Sequence, residues 1–175
     1  MLSYSDASLK NGVATYAWVV GGLQGGDEER GRGQLSGGGR VHGHPKRLSL
    51  TRAEHVGVLS ALTSLAQWPE LRNAFDGHVH YCDNKGVSDR MDHEEWQESA
   101  VFGPNDWARA NDPDVHAEAE AQRSLLGMST VVRWHRGHPE RRLCKAAWSR
   151  HDRAIYKVDK LADEVYKILP VLQTG

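Results

Sequence analysis

Leu2, Tyr4 and Asp6 occupy alternate positions at the start of the chain, the two-residue period of a strand with one face turned inward. After a tight turn at Lys10, Asn11 and Gly12, the stretch up to Val20 predicts a second strand. Residues 21–40, rich in glycine and charge, predict a long flexible hairpin connection, and a third strand is expected over 41–50, where Leu48 and Leu50 alternate. Thr51 is read as opening a helix that runs to about Gln67, ahead of Pro69. Residues 77–82 form a short strand ending at Asp83, a brief helix carries on to Asp89 or Met91, and 92–111 is a loop-rich acidic insertion. Asn111, Asp112 and Pro113 start a helix through Leu126, with Pro113 suited to a first turn. Met128 to His135 predicts a further strand, 137–139 a break, and 146–169 a long helix. This order implies one α/β domain over 1–175: a mixed sheet, antiparallel in its first three strands, flanked by helices that later serve as crossovers.

Composition narrows the setting. The net charge of −1 announces no bulk affinity for nucleic acid, so any such binding must rest on a local patch. Two cysteines without a secretory leader point to a reducing intracellular compartment, cytoplasmic or nuclear, with Cys82 a small buried hydrophobe. No apolar run approaches membrane-spanning length, which predicts a soluble protein with no membrane partner. The Gly-rich tract lacks the spacings of phosphate-binding loops and reads as a mobile loop. A strand beginning almost at Met1 suggests a piece of a longer polypeptide.

The chemistry lies in scattered carboxylates. Asp6 puts a charge where the alternation calls for an apolar residue, and a buried carboxylate needs a partner or a cation. Asp83 repeats this after Val79 and Tyr81, at the C-terminal end of its strand where ligands gather, although an Asp there can also cap the next helix. Thr51 and Glu54 match a capping box, yet Glu54 is also in register with Val58, Ala61, Leu62 and Leu65, the stripe that should face the sheet. On the last helix Asp159 flanks the apolar face and Asp163 points further away; both could instead pair with nearby lysines.

In this order the residues resemble the ribonuclease H family. Ser5-Asp6-Ala7-Ser8 is similar to its first-strand T-D-G-S motif, Arg52-Ala53-Glu54 to its R-A-E, Asp83-Asn84 to its fourth-strand D-S or D-N element, residues 134–139 to its W-x-x-G-H-P loop, and Asp159-Lys160-Leu161-Ala162 to its closing D-x-L-A. The resemblance spans essentially the whole chain. It implies a five-stranded ribonuclease H-like sheet with Asp6 and Asp83 on adjacent central strands, two Mg2+ or Mn2+ ions held by Asp6, Glu54, Asp83 and Asp159, with Asp163 competing for the fourth place, and His138 assisting proton transfer or product departure. It also implies hydrolysis of the RNA strand of an RNA–DNA hybrid by a two-metal-ion mechanism. The acidic 92–111 insertion stands where cellular members carry a basic protrusion, which resembles domains attached to reverse transcriptases of retroelements; a covalently linked reverse transcriptase is then a partner. Asn84 and Lys85 could touch the scissile strand.

The basic stretch that includes Arg133, Arg136, Arg141 and Arg142 lies beside this site and reads as phosphate-backbone contact, or else as a solvated helix face. The pairs His42/His44 and His78/His80 share strand faces, which makes a zinc site conceivable, but no local ligands complete a tetrahedral set. Trp18, Trp68, Trp134 and Trp148 are read as mostly core, and Trp96 and Trp107 as partner-stacking or edge-covering. A nuclease or integrase-type enzyme acting on DNA, and a non-catalytic hybrid-binding domain, are the competing readings.

Overall fold

The chain is described by a computed structural model over residues 1–21, 35–92 and 112–172. Its first two strands, β1 (Leu2–Lys10) and β2 (Val13–Val20), are joined by Asn11 and Gly12. Both have positive φ, 50° and 74°, which gives the two-residue turn whose twist matches that of the flanking antiparallel strands.

The third strand, β3, is Leu35–Arg40, inside the stretch read from sequence as a flexible connection, and not 41–50. Composition misled here because three consecutive glycines usually signal a loop. In this strand they make room: a Cβ on Gly37 would lie 2.6 Å from the Trp18 ring, and one on Gly38 would lie 2.7 Å from the Tyr16 carbonyl. Residues 41–50 instead hold a short 3-10 turn at Pro45–Arg47 before the next helix. Within the expected connection, 22–34 lies outside the described residues, as does nearly all of the 92–111 insertion with Trp96 and Trp107.

Helix α1 (Leu50–Ala66) is capped by Ser49, whose Oγ accepts from the Arg52 amide at 3.0 Å. The capping box read at Thr51 and Glu54 is therefore not the cap. The helix starts two residues before that box would place it, and Glu54 lies on the inward face with Val58, Ala61, Leu62 and Leu65, all buried. Then come α2 (Pro69–Asn73), β4 (Gly77–Cys82), α3 (Lys85–Asp92), α4 (Pro113–Leu125), β5 (Ser129–Trp134) and α5 (Arg150–Leu172). Helix α5 begins later than 146 because Lys145–Ala147 form a 3-10 turn, after which Ser149 and Asp152 cap the helix reciprocally.

The sheet order is β3-β2-β1-β4-β5, antiparallel across β1–β2–β3 and parallel across β1–β4–β5. On one face Val58, Leu62 and Leu65 of α1 pack with Trp18, Val20, Cys82 and Val132, joined by Val87, Met91 and Leu126. On the other, Ala154, Ile155, Val158 and Ala162 of α5 cover Tyr4, Ala17 and Val19. Strand β1 is thus enclosed on both faces, and residues 3–8 are all buried.

The polar side chains so enclosed are hydrogen-bonded in a chain: Ser3 Oγ lies 2.6 Å from both His78 Nε2 and His80 Nδ1, and Ser5 Oγ lies 2.8 Å from His80 Nε2. The pair His78/His80 is thereby tied into the core, and His42 and His44 are exposed. Neither pair joins a group of three or more metal-ligating side chains among the described residues. Cys82 is buried, Cys144 exposed, and both are free. Among the described residues no helix is long and apolar enough to cross a membrane.

Candidate metal centre

Strands β1 and β4 run parallel with Tyr4 opposite Tyr81 and Ser5 opposite Cys82, so the next positions, Asp6 and Asp83, are neighbours at the C-terminal end of β4. Glu54 reaches them from α1. One carboxylate oxygen from each of the three lies within 4.8 Å of the others. Asp6 and Glu54 are almost wholly enclosed, at 4% and 1% exposure, and Asp83 is half-buried.

Little compensates this charge. The Ala7 amide donates to Asp6 Oδ1 at 2.7 Å. Glu54 Oε2 is buried and, among the described residues, has no hydrogen-bond partner. No lysine or arginine among the described residues forms a salt bridge with any of the three. Burial first, and then the Asp83 charge, push the Asp6 carboxyl well above its ordinary range; burial, then Asp6 and Asp83, do the same to Glu54. Three carboxylates sharing one pocket with an unpartnered oxygen are hard donors of the kind that hold Mg2+ or Mn2+, so the residues present fit a divalent ion.

Of the two candidates on the last helix, Asp159 is the one whose charge reaches Asp6. It stands outside the compact trio and is held by Lys160 at 3.1 Å. Asp163 pairs with Lys10 at 2.6 Å at the far end of β1. His138 adopts a left-handed backbone (φ 51°) with Nδ1 3.2 Å from Glu140, on a half-exposed loop. The residue of that loop that meets the cluster is Gly137, where a Cβ would run into Asp83 Oδ2.

Two neighbours of the site were missed in the sequence. The His135 amide donates to Cys82 O at 2.9 Å, which extends the β4–β5 ladder and sets His135 beside Asp83; its Nε2 lies 3.2 Å from Asp152. The signal was present in the strand period, since His135 shares a face with Arg133, and Arg133 pairs with Tyr81. The other is Trp134, read as core, whose ring is 45% exposed; Trp68 is also exposed, whereas Trp18 and Trp148 are buried as expected.

The candidate phosphate contacts divide. Asn84 Oδ1 accepts from the Val87 amide and caps α3, Lys85 pairs with Asp89, and Arg142 donates to Arg136 O and Asp152. Arg133, Arg136 and Arg141 are exposed.

Comparison with solved structures settles the architecture. The chain superposes on the solution structure of the ribonuclease H domain of prototype foamy virus with a TM-score of 0.63 at 16% identity, covering 95% of this chain and 94% of that one. The fold is that of ribonuclease H. The same fold relates it to ribonuclease H1 of the halophilic archaeon Halobacterium salinarum (TM-score 0.54, 19% identity, 95% and 96% covered). LC11-RNase H1, solved in complex with an RNA/DNA hybrid, also matches (TM-score 0.52, 14% identity, 96% and 98% covered). No protein-family model and no curated protein matches the sequence.

Proposed function

We propose that this chain hydrolyses the RNA strand of RNA–DNA hybrids with the help of two divalent ions, Mg2+ or Mn2+. The observation that carries the reading is the convergence of Asp6, Glu54 and Asp83 at one end of a ribonuclease H fold without a countercharge among the described residues. Asp6, Glu54 and Asp83 would hold the ions, with Asp159 completing the set from α5. Bound there, divalent ions activate an attacking water and stabilise the leaving 3′-oxygen of an in-line displacement, which leaves 5′-phosphate and 3′-hydroxyl ends. The protein's own part is placement: β1 and β4 fix two carboxylates side by side, α1 sets the third, and Gly137 lets the β5–α5 loop close on Asp83. His138 is the candidate for assisting proton transfer, and Arg133, Arg136 and Arg141 for holding backbone phosphates. The likeness to foamy virus and the acidic 92–111 insertion support a domain working beside a reverse transcriptase.

The test is cleavage of a labelled RNA–DNA hybrid with Mg2+ or Mn2+, alongside duplex DNA. Asp6→Asn and Asp83→Asn are each expected to lower the rate at least about a hundredfold, the scale for removing an electrostatic catalytic group. Unaltered hybrid cleavage in both variants would sink the assignment, and preferential cleavage of duplex DNA would move it to a DNA phosphotransferase.

A further inference from the structure

Trp134 ends β5 45% exposed, yet its one polar side-chain atom is already satisfied: Nε1–H donates to the Asp83 carbonyl at 2.9 Å. The hydrogen bond fixes the ring against the residue that supplies a carboxylate of the cluster. Two residues further on stands Arg136, exposed and in no salt bridge with a carboxylate among the described residues. The rim of the site therefore presents a hydrogen-bonded apolar plate followed at once by a cation.

A nucleic-acid strand presents complementary chemistry. Its phosphates alternate with sugar rings, whose C–H faces are apolar and accessible, whereas the faces of paired bases are stacked on one another. An indole followed by a guanidinium matches a sugar followed by a phosphate. We propose that Trp134 packs against the sugar of a nucleotide close to the scissile phosphate, with Arg136 on a neighbouring phosphate, and so sets the affinity and register of the bound strand. This rests on the hydrolase reading and names a contact within it.

The full chain carrying Trp134→Ala or Trp134→Phe tests it. Binding is read by anisotropy of a fluorescent RNA–DNA hybrid in EDTA, and KM and kcat are read with Mg2+. Trp134→Ala is expected to weaken Kd and raise KM about tenfold with kcat kept within about twofold, while Trp134→Phe, which keeps a ring but loses the N–H, stays within about twofold on all three. Unchanged binding by Trp134→Ala overturns the proposal, as does equal weakening in both variants, or a fall in kcat with binding intact, which would make the ring a strut for Asp83. A chain that cleaves hybrid without dependence on Trp134 refutes only this contact; one that binds through Trp134 without cleaving refutes only the hydrolase.

Discussion

Asp6 and Glu54 are at odds with the protein around them. Their carboxyls titrate above the ordinary range because burial and mutual repulsion disfavour the charged forms. A carboxyl whose folded pKa exceeds its unfolded value contributes stability that is full below the unfolded pKa and lost as pH rises through the folded one. Metal-free protein should therefore lose stability as pH rises above about 4, the unfolded carboxyl range. Asp6→Asn should raise stability in EDTA at neutral pH by about 1–3 kcal/mol, the scale for relieving uncompensated buried charge. Added Mg2+ should raise Tm of the wild-type chain and have much less effect on that variant. Thermal melts across pH with and without EDTA check this, and a lower Tm for Asp6→Asn in EDTA would show that the cluster is compensated within the fold. Much of the site was legible at this scale, because a charge on the buried face of a strand breaks a two-residue period anyone can count. His135 and Trp134 were harder to read: the strand period gives the face each shares, but only the turn of the chain after β5 decides that one ring meets Asp152 and the other is half-exposed.

Strand β3 shows how element and composition can part company. Glycines normally weaken a strand, but here the neighbouring strand carries Trp18 and Tyr16, whose side chains lie against the backbone of Gly37 and Gly39. Trp18 cannot swing aside freely, because its Nε1–H donates to Ser60 on α1 at 2.9 Å. Gly37→Ala should therefore cost about 1–3 kcal/mol, the range for overpacking. Gly39→Ala should cost less, since the nearest atom to its Cβ is the Tyr16 hydroxyl at 3.0 Å, the end of a partly exposed side chain. Urea melts of the two variants compare them, and the reverse order would refute this packing account. Strands and helices with clean periodicity, β1, β2, β4 and α1, were readable to within a residue or two; β3 was not, because the reason for its glycines lies on another strand. The start of α1 shows the same limit, since Ser49 and Thr51 are both plausible caps and only the backbone geometry separates them.

For the whole molecule, the mixed α/β layout followed from the order of elements, whereas the placing of β1 between β2 and β4 came from resemblance and is confirmed by the pairing. That placing carries a kinetic consequence. The β1–β2 hairpin closes locally, but β1 meets β4 only across a long loop: Ser3 and His80, which touch in the core, are 77 residues apart. Contacts so distant in sequence form late, after the entropy of closing the loop has been lost. Asp6 and Asp83 ride on that last pairing, so their repulsion is absent from the unfolded chain and from most of the climb to the barrier. Asp6→Asn in metal-free buffer should then leave the refolding rate nearly unchanged and slow unfolding about tenfold, the kinetic mark of an interaction made after the transition state. The nascent chain can thus close its β1–β2 hairpin before the charges that give the site its chemistry come together.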